Sequence, residues 1–433
     1  MSKDTQASST PSSVTRREFL KTSTAAAVAG AMATQLLTRA YAQENNVLKI
    51  GLIGCGGRGT GAAANALEAD PNTQLVAVGD AFQERLESSL ANLKDTEFGD
   101  RVLVDPDHQF VGLDAYQKVI DSGVDVVLLT TVPHFRPMHM EAAIAAGKHV
   151  FAEKPVAVDP VGVRKVLALS EEAKQKGLAV VSGLCWRYEL GMRDVVKRVQ
   201  DGQIGDIIAV QSTRFSGSVG TPTPRQPGWG DFRFQLKNWY YHTWLSGDFN
   251  VEQFVHELDK VAWAVGSYPT SCLCTGGRQV RTGPEFGDIF DHFDAIYEWP
   301  NGIRYFAANR HWDGCSGIHR DYVMGTQGAA DLMAYTITGA NPWKGEGNLG
   351  PAYVREHREM FESIRAGEPK NDGEFMAHST LMGIMARMSA YTGQQLSWDQ
   401  VMNSQLDLSP PVYDMDATLP EPEVAKPGVT PFV

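Results

Sequence analysis

Short apolar runs alternate with amphipathic segments along the first third of the chain. The apolar runs end near Ile53, Val78, Leu129 and Ala152, and helical patterns lie between them. Continuous apolar runs are typical of strands buried on both faces, and strands that alternate with helices form a parallel, doubly wound sheet. The pattern therefore predicts an α/β N-terminal domain with a Rossmann sheet, in which 101–104 is one of the strands.

The pattern changes in the second half, where β-rich segments at 207–215, 270–278, 295–299 and 303–308 precede two amphipathic helices at 354–367 and 375–392. Such a succession predicts a C-terminal α+β domain with an open, mostly antiparallel sheet. A chain of 433 residues is too long for one core. We predict four parts: a signal peptide at 1–42, the Rossmann domain at 47–175, the α+β domain at 176–400 and an extended arm at 401–433.

A glycine-rich turn follows the first predicted strand, with Gly54, Gly56 and Gly59 spaced as Gly-x-Gly-x-x-Gly around Gly57 and Arg58. In a strand–turn–helix context the first glycine permits the tight turn, the second lets the backbone approach a pyrophosphate, and the third allows close helix packing. The phosphate would lie at the helix N-terminus. A chain with 42 glycines produces such triplets by chance, so the neighbouring residues must decide.

Asp80 ends the second predicted strand, at the distance where dinucleotide-binding proteins place a carboxylate for the ribose hydroxyls. A carboxylate there repels a 2′-phosphate, and no arginine follows before Arg85. The sequence therefore predicts NAD as the cofactor, with NADP as the alternative.

Other polar residues follow the fourth and fifth predicted strands. Thr131, Pro133 and His134 come after one, and Glu153 after the other. Ligands of doubly wound sheets bind beyond the carboxyl ends of the strands. We therefore expect these residues at the cofactor site.

Lys154 lies between Glu153 and Pro155, directly after a buried strand. A lysine on a turn that faces the crevice is partly desolvated, which can bring its pKa into the range useful for acid/base work. The alternative is a surface lysine in a turn.

The order and spacing of five motifs resemble those of the glucose–fructose oxidoreductase / inositol dehydrogenase / MocA family over 47–394. The motifs are the glycine loop, Asp80 and the segments 131–134, 153–155 and 256–259. The resemblance implies an NAD(P)-dependent oxidoreductase acting on CH–OH groups of a sugar, glycoside or cyclitol, and a homo-oligomer. It also implies that Lys154 touches nicotinamide and substrate.

The family's histidine and preceding acid correspond to His256 and Glu252. The chain departs from the family pattern because Glu252 replaces an aspartate and Phe254 replaces a glycine. The helical spacing of Glu252, His256 and Asp259 predicts that all three project from one face, with Asp259 near the substrate. The alternative for the two acids is a solvated charged stripe.

Two further groups of candidates have a structural alternative. Arg187 stands where the family carries an arginine near the nicotinamide, but a structural ion pair is the other reading. The aromatic run contributes the predicted sugar contacts Trp239, Tyr240, Tyr241 and His242. Aromatic rings match the apolar faces of sugars, yet such runs also build cores.

The N-terminus carries Arg16 and Arg17 before an alanine-rich region and an Ala-Tyr-Ala site that ends at Ala42. This arrangement predicts a twin-arginine signal, a translocase partner and a periplasmic protein exported with its cofactor tightly bound. An amphipathic or disordered tail with a chance arginine pair is the alternative.

Charge and cysteine usage narrow the remaining possibilities. A net charge of −12 argues against nucleic acid partners. Cys272 and Cys274 alternate on a predicted strand, which favours buried free thiols over a disulfide. His292, His311 and His319 show no ligand framework in the sequence, so we expect no zinc site.

Three functions remain. The first is dehydrogenation, with His256 taking the hydroxyl proton and Lys154 assisting. The second is glycoside hydrolysis through transient oxidation and elimination, with Tyr240, Tyr241 or His242 as a second base. The third is non-catalytic binding of a sugar or cofactor, which the presence of both Lys154 and His256 disfavours.

Overall fold

Parallel strands form the N-terminal sheet in the computed structural model, which describes residues 47–433; the predicted signal segment 1–42 lies outside the described residues. Its six strands are β1 (Leu48–Ile53), β2 (Thr73–Asp80), β3 (Gln109–Val111), β4 (Val126–Leu129), β5 (His149–Ala152) and β6 (Val180–Ser182). Across this described sheet the order is β3-β2-β1-β4-β5-β6, all parallel. The predicted Rossmann sheet is confirmed, and its switch point lies between β1 and β4.

Helices cover both faces of this sheet: α1 (Gly57–Ala69), α2 (Gln83–Lys94), α3 (Ala115–Asp121), α4 (Arg136–Ala145) and α5 (Pro160–Gln175). The buried side of α1 consists largely of alanines, which lets the helix lie close to the strands. At α5, the Asp159 carboxylate accepts a hydrogen bond from Gly162 N at 2.7 Å, and Pro160 occupies the first turn. This is a sequence-encoded helix start.

Two details differ from the sequence-based prediction. The predicted strand 101–104 makes only an isolated bridge, from Val102 to Leu75. The strand at that edge is β3 instead, because Pro106 starts a short 3-10 turn and pairing resumes only at Gln109. In addition, β6 belongs to the N-terminal sheet, which therefore extends past residue 175.

The second sheet contains, within the described residues, β7 (Ile207–Ser216), β8 (Ser271–Gly277), β9 (His292–Glu298), β10 (Arg304–His311), β11 (Ile318–Gly325), β12 (Gly328–Asp331), β13 (Thr336–Gly339), β14 (Trp343–Lys344) and β15 (Leu396–Ser397). The order is β14-β13-β12-β11-β7-β10-β9-β8-β15. Among the described strands of this second sheet, only β7 and β10 pair in parallel. The predicted mostly antiparallel sheet is confirmed.

The remaining helices are α6 (Leu190–Gln200), α7 (Asp231–Lys237), α8 (Thr243–Ser246), α9 (Phe249–Glu252), α10 (Val255–Val265), α11 (Gly350–Ala366), α12 (Gly373–Thr392) and α13 (Trp398–Asn403). Helix α12 is buried along almost its whole length between α5 and β8, and α11 packs on α1. Two late helices therefore fasten the C-terminal part to the Rossmann domain. Among the described helices, none combines the length and apolar character that a membrane span requires.

Past Asn403 the described chain forms neither helix nor strand and lies against the body of the protein. Leu419 N donates to the Asp231 carboxylate at 3.0 Å, and Phe232 N donates to Ala417 O at 3.2 Å. The arm therefore packs on α7. Elsewhere, Cys272 and Cys274 are buried on β8 as free thiols, which confirms that prediction.

Candidate active site

A cavity of about 760 Å³ lies at the carboxyl ends of β1, β2, β4 and β5, on the side that faces the C-terminal domain. Its wall includes the glycine loop, Asp80, Thr131, Lys154 and His256. This is the switch-point edge of the sheet, where doubly wound proteins bind their ligands. The structure therefore gathers residues from both domains around one space.

The glycine loop has the geometry that a pyrophosphate needs. Gly54 has φ +99°, and a Cβ on Gly59 would lie 1.9 Å from Gly54 O. By contrast, no described atom lies within 4 Å of a Cβ built on Gly56 or Gly57. The first turn of α1 has no acidic residue and no side-chain cap within the described chain. Its backbone N–H groups are thus free for an anion, and the loop fits a dinucleotide.

Asp80 is fixed beside this loop. One carboxylate oxygen accepts from Cys55 N at 2.6 Å and the other from Phe82 N at 2.9 Å. Burial raises the pKa of Asp80, while these two hydrogen bonds act in the opposite direction. Arg85 and Lys237 also line the cavity, and their charges reach Asp80. The ribose end therefore carries one carboxylate and two cations.

Arg58 and Glu153, both predicted at the cofactor site, line the cavity and pair with each other. Arg58 also reaches the buried Glu356 of α11 at 3.1 Å and lies over the Tyr353 ring. Burial raises the pKa of Glu356 well above its usual value. Burial alone would also raise the pKa of Glu153, but the Arg58 charge lowers it below its usual value. Arg58 thus joins the glycine loop, the end of β5 and α11.

Lys154 points towards the second domain. Its ammonium donates to Glu252 O at 2.7 Å and to Glu252 Oε1 at 2.8 Å. The Lys154–Pro155 peptide bond is cis. Arg136 fixes the surrounding loops, because its guanidinium donates to Pro155 O and, at 2.7 Å, to Thr131 O. Lys154 is therefore held in the cavity wall by backbone and side-chain contacts.

His256 lies in the first turn of α10 and also lines the cavity. Its Nδ1 is buried and has no hydrogen-bond partner among the described residues. Burial and, next, the charge of Lys154 hold the pKa of His256 well below its usual value. The imidazole is therefore neutral, which is the form that can accept a proton.

Asp248 precedes α9, the short helix that ends at Glu252. Its backbone has φ 76° and ψ 163°, a region in which residues other than glycine are strained. Three donors hold its carboxylate: Phe249 N at 2.5 Å, Phe290 N at 2.8 Å and the Tyr391 hydroxyl at 2.5 Å. This anchored residue sets where the helix carrying Glu252 begins.

A continuous chain of hydrogen bonds follows one wall of the cavity. It runs through Lys154, Glu252, Gln253, Arg214, Glu257 and His319. Gln253 bridges its neighbours: it donates to Glu252 Oε2 at 2.5 Å and accepts from Arg214 at 3.1 Å. No motif or spacing in the sequence singles out Gln253 or Arg214. His319 has no ligand framework in the sequence, and the residues that meet it in the structure come from distant segments.

Arg187 and Asp259 bind each other, with contacts of 2.9 and 3.0 Å, and neither lines the cavity. Asp259 also accepts from the Ser379 hydroxyl at 2.7 Å, and the Arg187 guanidinium lies 3.9 Å from the Phe375 ring centroid. The structure therefore shows the ion-pair alternative. Glu252, His256 and Asp259 do not share one helical face, because α9 ends at Glu252 and α10 begins at Val255.

Only Trp239 of the four predicted aromatic contacts lines the cavity. Tyr240 and Tyr241 are buried in a cluster with Phe249 and Ile289, and His242 is buried with its pKa lowered to about 4. Tyr240 and Tyr241 lie in a short 3-10 turn, and their rings face the interior, where they lose contact with water. These three residues belong to the core.

Thr131 lines the cavity, whereas Pro133 and His134 lie behind its wall. His134 Nε2 lies 2.7 Å from the Tyr413 hydroxyl of the C-terminal arm, and burial lowers the pKa of His134 to about 4. The arm thus shields the side chain that the sequence analysis had placed at the cofactor.

Two sequence profiles match the chain: one described as an oxidoreductase family with an NAD-binding Rossmann fold, over 48–183, and one described as a Gfo/Idh/MocA C-terminal domain, over 192–331. The chain belongs to the Gfo/Idh/MocA family. Its N-terminal domain is accordingly an NAD-binding Rossmann domain, as the resemblance implied.

Curated proteins are similar to this chain over part of their length. The inositol 2-dehydrogenase of Pseudomonas fluorescens is 33% identical over 177 residues, which cover 40% of this chain and 47% of that protein. The 2,7-anhydro-N-acetylneuraminate hydratase of Escherichia coli is 26% identical over 238 residues, covering 54% and 58%. The chain spans about half the length of the curated relatives it matches.

Solved structures extend the likeness in fold. The scyllo-inositol dehydrogenase of Lactobacillus casei, with bound NAD(H) and scyllo-inositol, has a TM-score of 0.62 at 17% identity, covering 81% of this chain and 99% of that one. The aldose-aldose oxidoreductase of Caulobacter crescentus has a TM-score of 0.63 at 18% identity, with the same coverage. At these identities the likeness shows the fold.

Proposed function

We propose that the protein is an NAD-dependent oxidoreductase that transfers hydride between a CH–OH group of a sugar, glycoside or cyclitol and the nicotinamide. The observation that carries the proposal is the placement of Lys154 and His256 in one cavity with the glycine loop. The inositol dehydrogenase among the relatives supports the substrate class, as does the neighbour that holds NAD(H) and scyllo-inositol.

A bound nicotinamide would supply the hydride acceptor. The neutral imidazole of His256 accepts the hydroxyl proton of the substrate. The Lys154 ammonium donates to the same oxygen and stabilises the negative charge that develops there. Glu252 holds the ammonium in place through two contacts, one from its backbone and one from its carboxylate.

The preference for NAD over NADP rests on Asp80, whose carboxylate suits ribose hydroxyls and repels a 2′-phosphate. Tight retention of the cofactor is supported by Lys237 of α7, which pairs with Glu84 of α2 across the cavity. The Lys237 ammonium also lies 3.6 Å from the Phe82 ring centroid. Lys237 and Phe82 both line the cavity, as does Asp80.

Export through the twin-arginine translocase into the periplasm is part of the proposal and rests on the arginine pair. Replacing Arg16 and Arg17 together by lysine should leave folded protein in the cytoplasm, because the translocase reads the arginines. Cell fractionation measures this, and normal periplasmic yield of the double variant would refute the signal.

Assembly into a homo-oligomer is supported by one face of the second sheet. Leu273, Ile296 and Phe306 lie side by side on β8, β9 and β10, and their side chains are 47, 37 and 41% exposed. An apolar row of this kind marks an interface. Phe306→Glu should lower the molar mass measured by light scattering. An unchanged mass would show that this face is not the subunit interface.

The hydrolytic alternative receives less support. Its candidate second bases Tyr240, Tyr241 and His242 are buried outside the cavity lining. A hydratase among the relatives keeps elimination chemistry within the family's range. Non-catalytic binding is disfavoured because both Lys154 and His256 line the cavity.

The function is tested on the purified mature protein. Its bound nucleotide is identified by mass spectrometry, and cyclitols, aldoses and glycosides are then screened for ketone formation coupled to NADH. We expect NAD and at least one oxidised polyol. A protein that binds no nicotinamide dinucleotide would contradict the proposal.

A further inference from the structure

Arg214 and His319 line the part of the cavity wall that lies farthest from Lys154 along the hydrogen-bond chain. Both line the cavity, with side chains 22 and 35% exposed. The carboxylate that holds both of them, Glu257, is completely buried, as is the neighbouring Asp321. The cavity therefore meets the nitrogen-bearing groups of this cluster, and the two carboxylates face the interior.

Glu257 orients both cavity-facing groups. Arg214 donates to its Oε1 at 3.0 Å, and His319 Nε2 lies 2.6 Å from the same oxygen. Burial would raise the pKa of Glu257, but the charges of Arg214 and Lys260 lower it well below its usual value. A carboxylate only accepts hydrogen bonds, so His319 Nε2 must be the donor. Its Nδ1 edge is left for a ligand, and Nδ1 donates to a carboxylate there when both ring nitrogens carry a proton.

Lys260 completes the cluster from behind. Its fully buried ammonium lies 2.5 Å from Asp321 Oδ2 and 3.8 Å from Glu257 Oε1. By distance alone, Glu257, His319 and Asp321 could hold a metal ion, since their ligand atoms lie within 4.8 Å of one another. Lys260 already supplies the cation there, so the cluster supports the two cavity-facing side chains.

We propose that Arg214 and His319 form a subsite for a carboxylate group of the substrate, which makes the substrate a sugar acid of the uronate or aldonate type. This inference rests on the proposed function. The two bonds to Glu257 and Gln253 occupy only part of the N–H donor set of Arg214. A planar guanidinium binds carboxylates through paired hydrogen bonds, which a lone hydroxyl cannot match.

The subsite also implies an orientation. Glu252 and Gln253 separate Lys154 from Arg214 along the wall. The carboxylate would therefore lie on a different carbon from the hydroxyl that is oxidised. Lys154 and His256 would meet the hydroxyl, and Arg214 would fix the remote end of the sugar.

The test compares acids with their neutral counterparts on the cofactor-loaded protein. The probes are four pairs of an acid and its neutral counterpart. They are D-glucuronate with glucose, D-galacturonate with galactose, D-mannuronate with mannose, and D-gluconate with glucitol. Affinity is measured by calorimetry, and oxidation by NADH absorbance. We expect at least one acid to bind about 10-fold more tightly than its neutral partner, the scale of one charge-assisted hydrogen-bond pair.

Arg214→Gln should weaken binding of that acid by about 10-fold or more, and by a larger factor than it weakens binding of the neutral sugar. Arg310→Gln is the matched control, since Arg310 lies over the Phe215 ring and is absent from the cavity wall. If Arg214→Gln does not fold, Arg214→Lys and His319→Asn replace it, and each should reduce the acid preference.

Absence of any acid preference in the wild-type protein would overturn the subsite, as would a variant that weakens acid and neutral sugar equally. The two proposals fail separately. An acid that binds through Arg214 but never yields NADH contradicts the oxidoreductase and leaves the subsite standing. Neutral polyols oxidised without any preference for acids contradict the subsite and leave the oxidoreductase standing.

Discussion

The two halves of the cavity are built from different parts of the chain. The cofactor half consists mainly of backbone: the turn at Gly54, the open surface of Gly56 and Gly57, and the start of α1. The substrate half consists of charged side chains that meet from the ends of β5, α9 and α10 and from β7 and β11. Under the proposed function, binding of the dinucleotide depends on main-chain shape, whereas binding of the substrate depends on an ion-pair network.

Gly59→Ala should produce the largest effect, because it attacks main-chain shape directly. The new Cβ would lie 1.9 Å from Gly54 O, so strand and helix would have to separate. We expect a loss of about 3 kcal/mol or more in the free energy of unfolding, at the upper end for overpacking, with no cofactor retained. Urea unfolding and nucleotide analysis measure both.

Gly61→Ala is the matched control on the same helix. The nearest atom to its new Cβ is on Arg58, at 3.8 Å. This change should stabilise the protein by up to about 1 kcal/mol, because alanine favours helix. Equal stability losses in the two variants would contradict the account of the glycine loop.

Lys154→Met and His256→Ala break the substrate half. Each should lower kcat by about 100-fold or more, the usual scale of a lost acid/base group, while cofactor binding survives. Lys165→Met is a control, because it removes an exposed ion pair with Glu141 outside the cavity. Steady-state kinetics measure kcat. A decrease of less than about 10-fold in both site variants would show that these residues take no part in the chemistry.

Asp80→Ala tests the one side chain on which the cofactor half depends. Losing the carboxylate removes the ribose hydrogen bonds and also the repulsion of a 2′-phosphate. With Arg85 and Lys237 nearby, NADP should gain on NAD by about 10-fold, the scale of a charged hydrogen bond. Titration with both nucleotides measures the ratio, and an unchanged ratio would place Asp80 outside the ribose site.

A pH-dependent effect on stability is expected at His149, which lies outside both halves. Burial lowers the pKa of His149 to about 4, so the folded protein keeps it neutral while the unfolded chain protonates near pH 6.5. Its stabilising effect is complete above about pH 6.5 and is lost as the pH falls towards 4, by up to about 1.4 kcal/mol per pH unit.

His149→Asn keeps an acceptor for Ala179 N, which His149 Nδ1 binds at 2.9 Å. The variant should flatten the fall in unfolding free energy between pH 6 and pH 4.5. Urea titrations at several pH values test this, and an unchanged slope would show that His149 is not a neutral buried histidine.

The difference between a cofactor half built from local backbone and a substrate half built from distant side chains explains how much of the site could be predicted from sequence. A glycine loop and Asp80 are local signals, since one strand–turn–helix unit fixes their geometry. Arg214 and His319 lie on separate strands and meet Glu257 only after the second sheet and α10 have packed. No spacing along the chain contains that information.

Fold prediction failed where local rules compete with tertiary contacts. The segment 101–104 is apolar enough for a strand, yet the turn at Pro106 moves regular pairing to β3. Asp259 has the helical spacing of a site residue, but the break after Glu252 turns it towards Arg187. In both cases a short irregular segment changes which side chains meet.

Hydride transfer from substrate carbon to nicotinamide is the most direct test of the proposed function. The polyol that the cofactor-loaded protein oxidises fastest is prepared with deuterium on the oxidised carbon, and the nucleotide and sugar products are analysed by mass spectrometry. We predict deuterium on the nicotinamide ring and one keto product for each NADH. Free reducing sugar carrying solvent deuterium at C2, with no net NADH, would contradict the oxidoreductase and indicate hydrolysis.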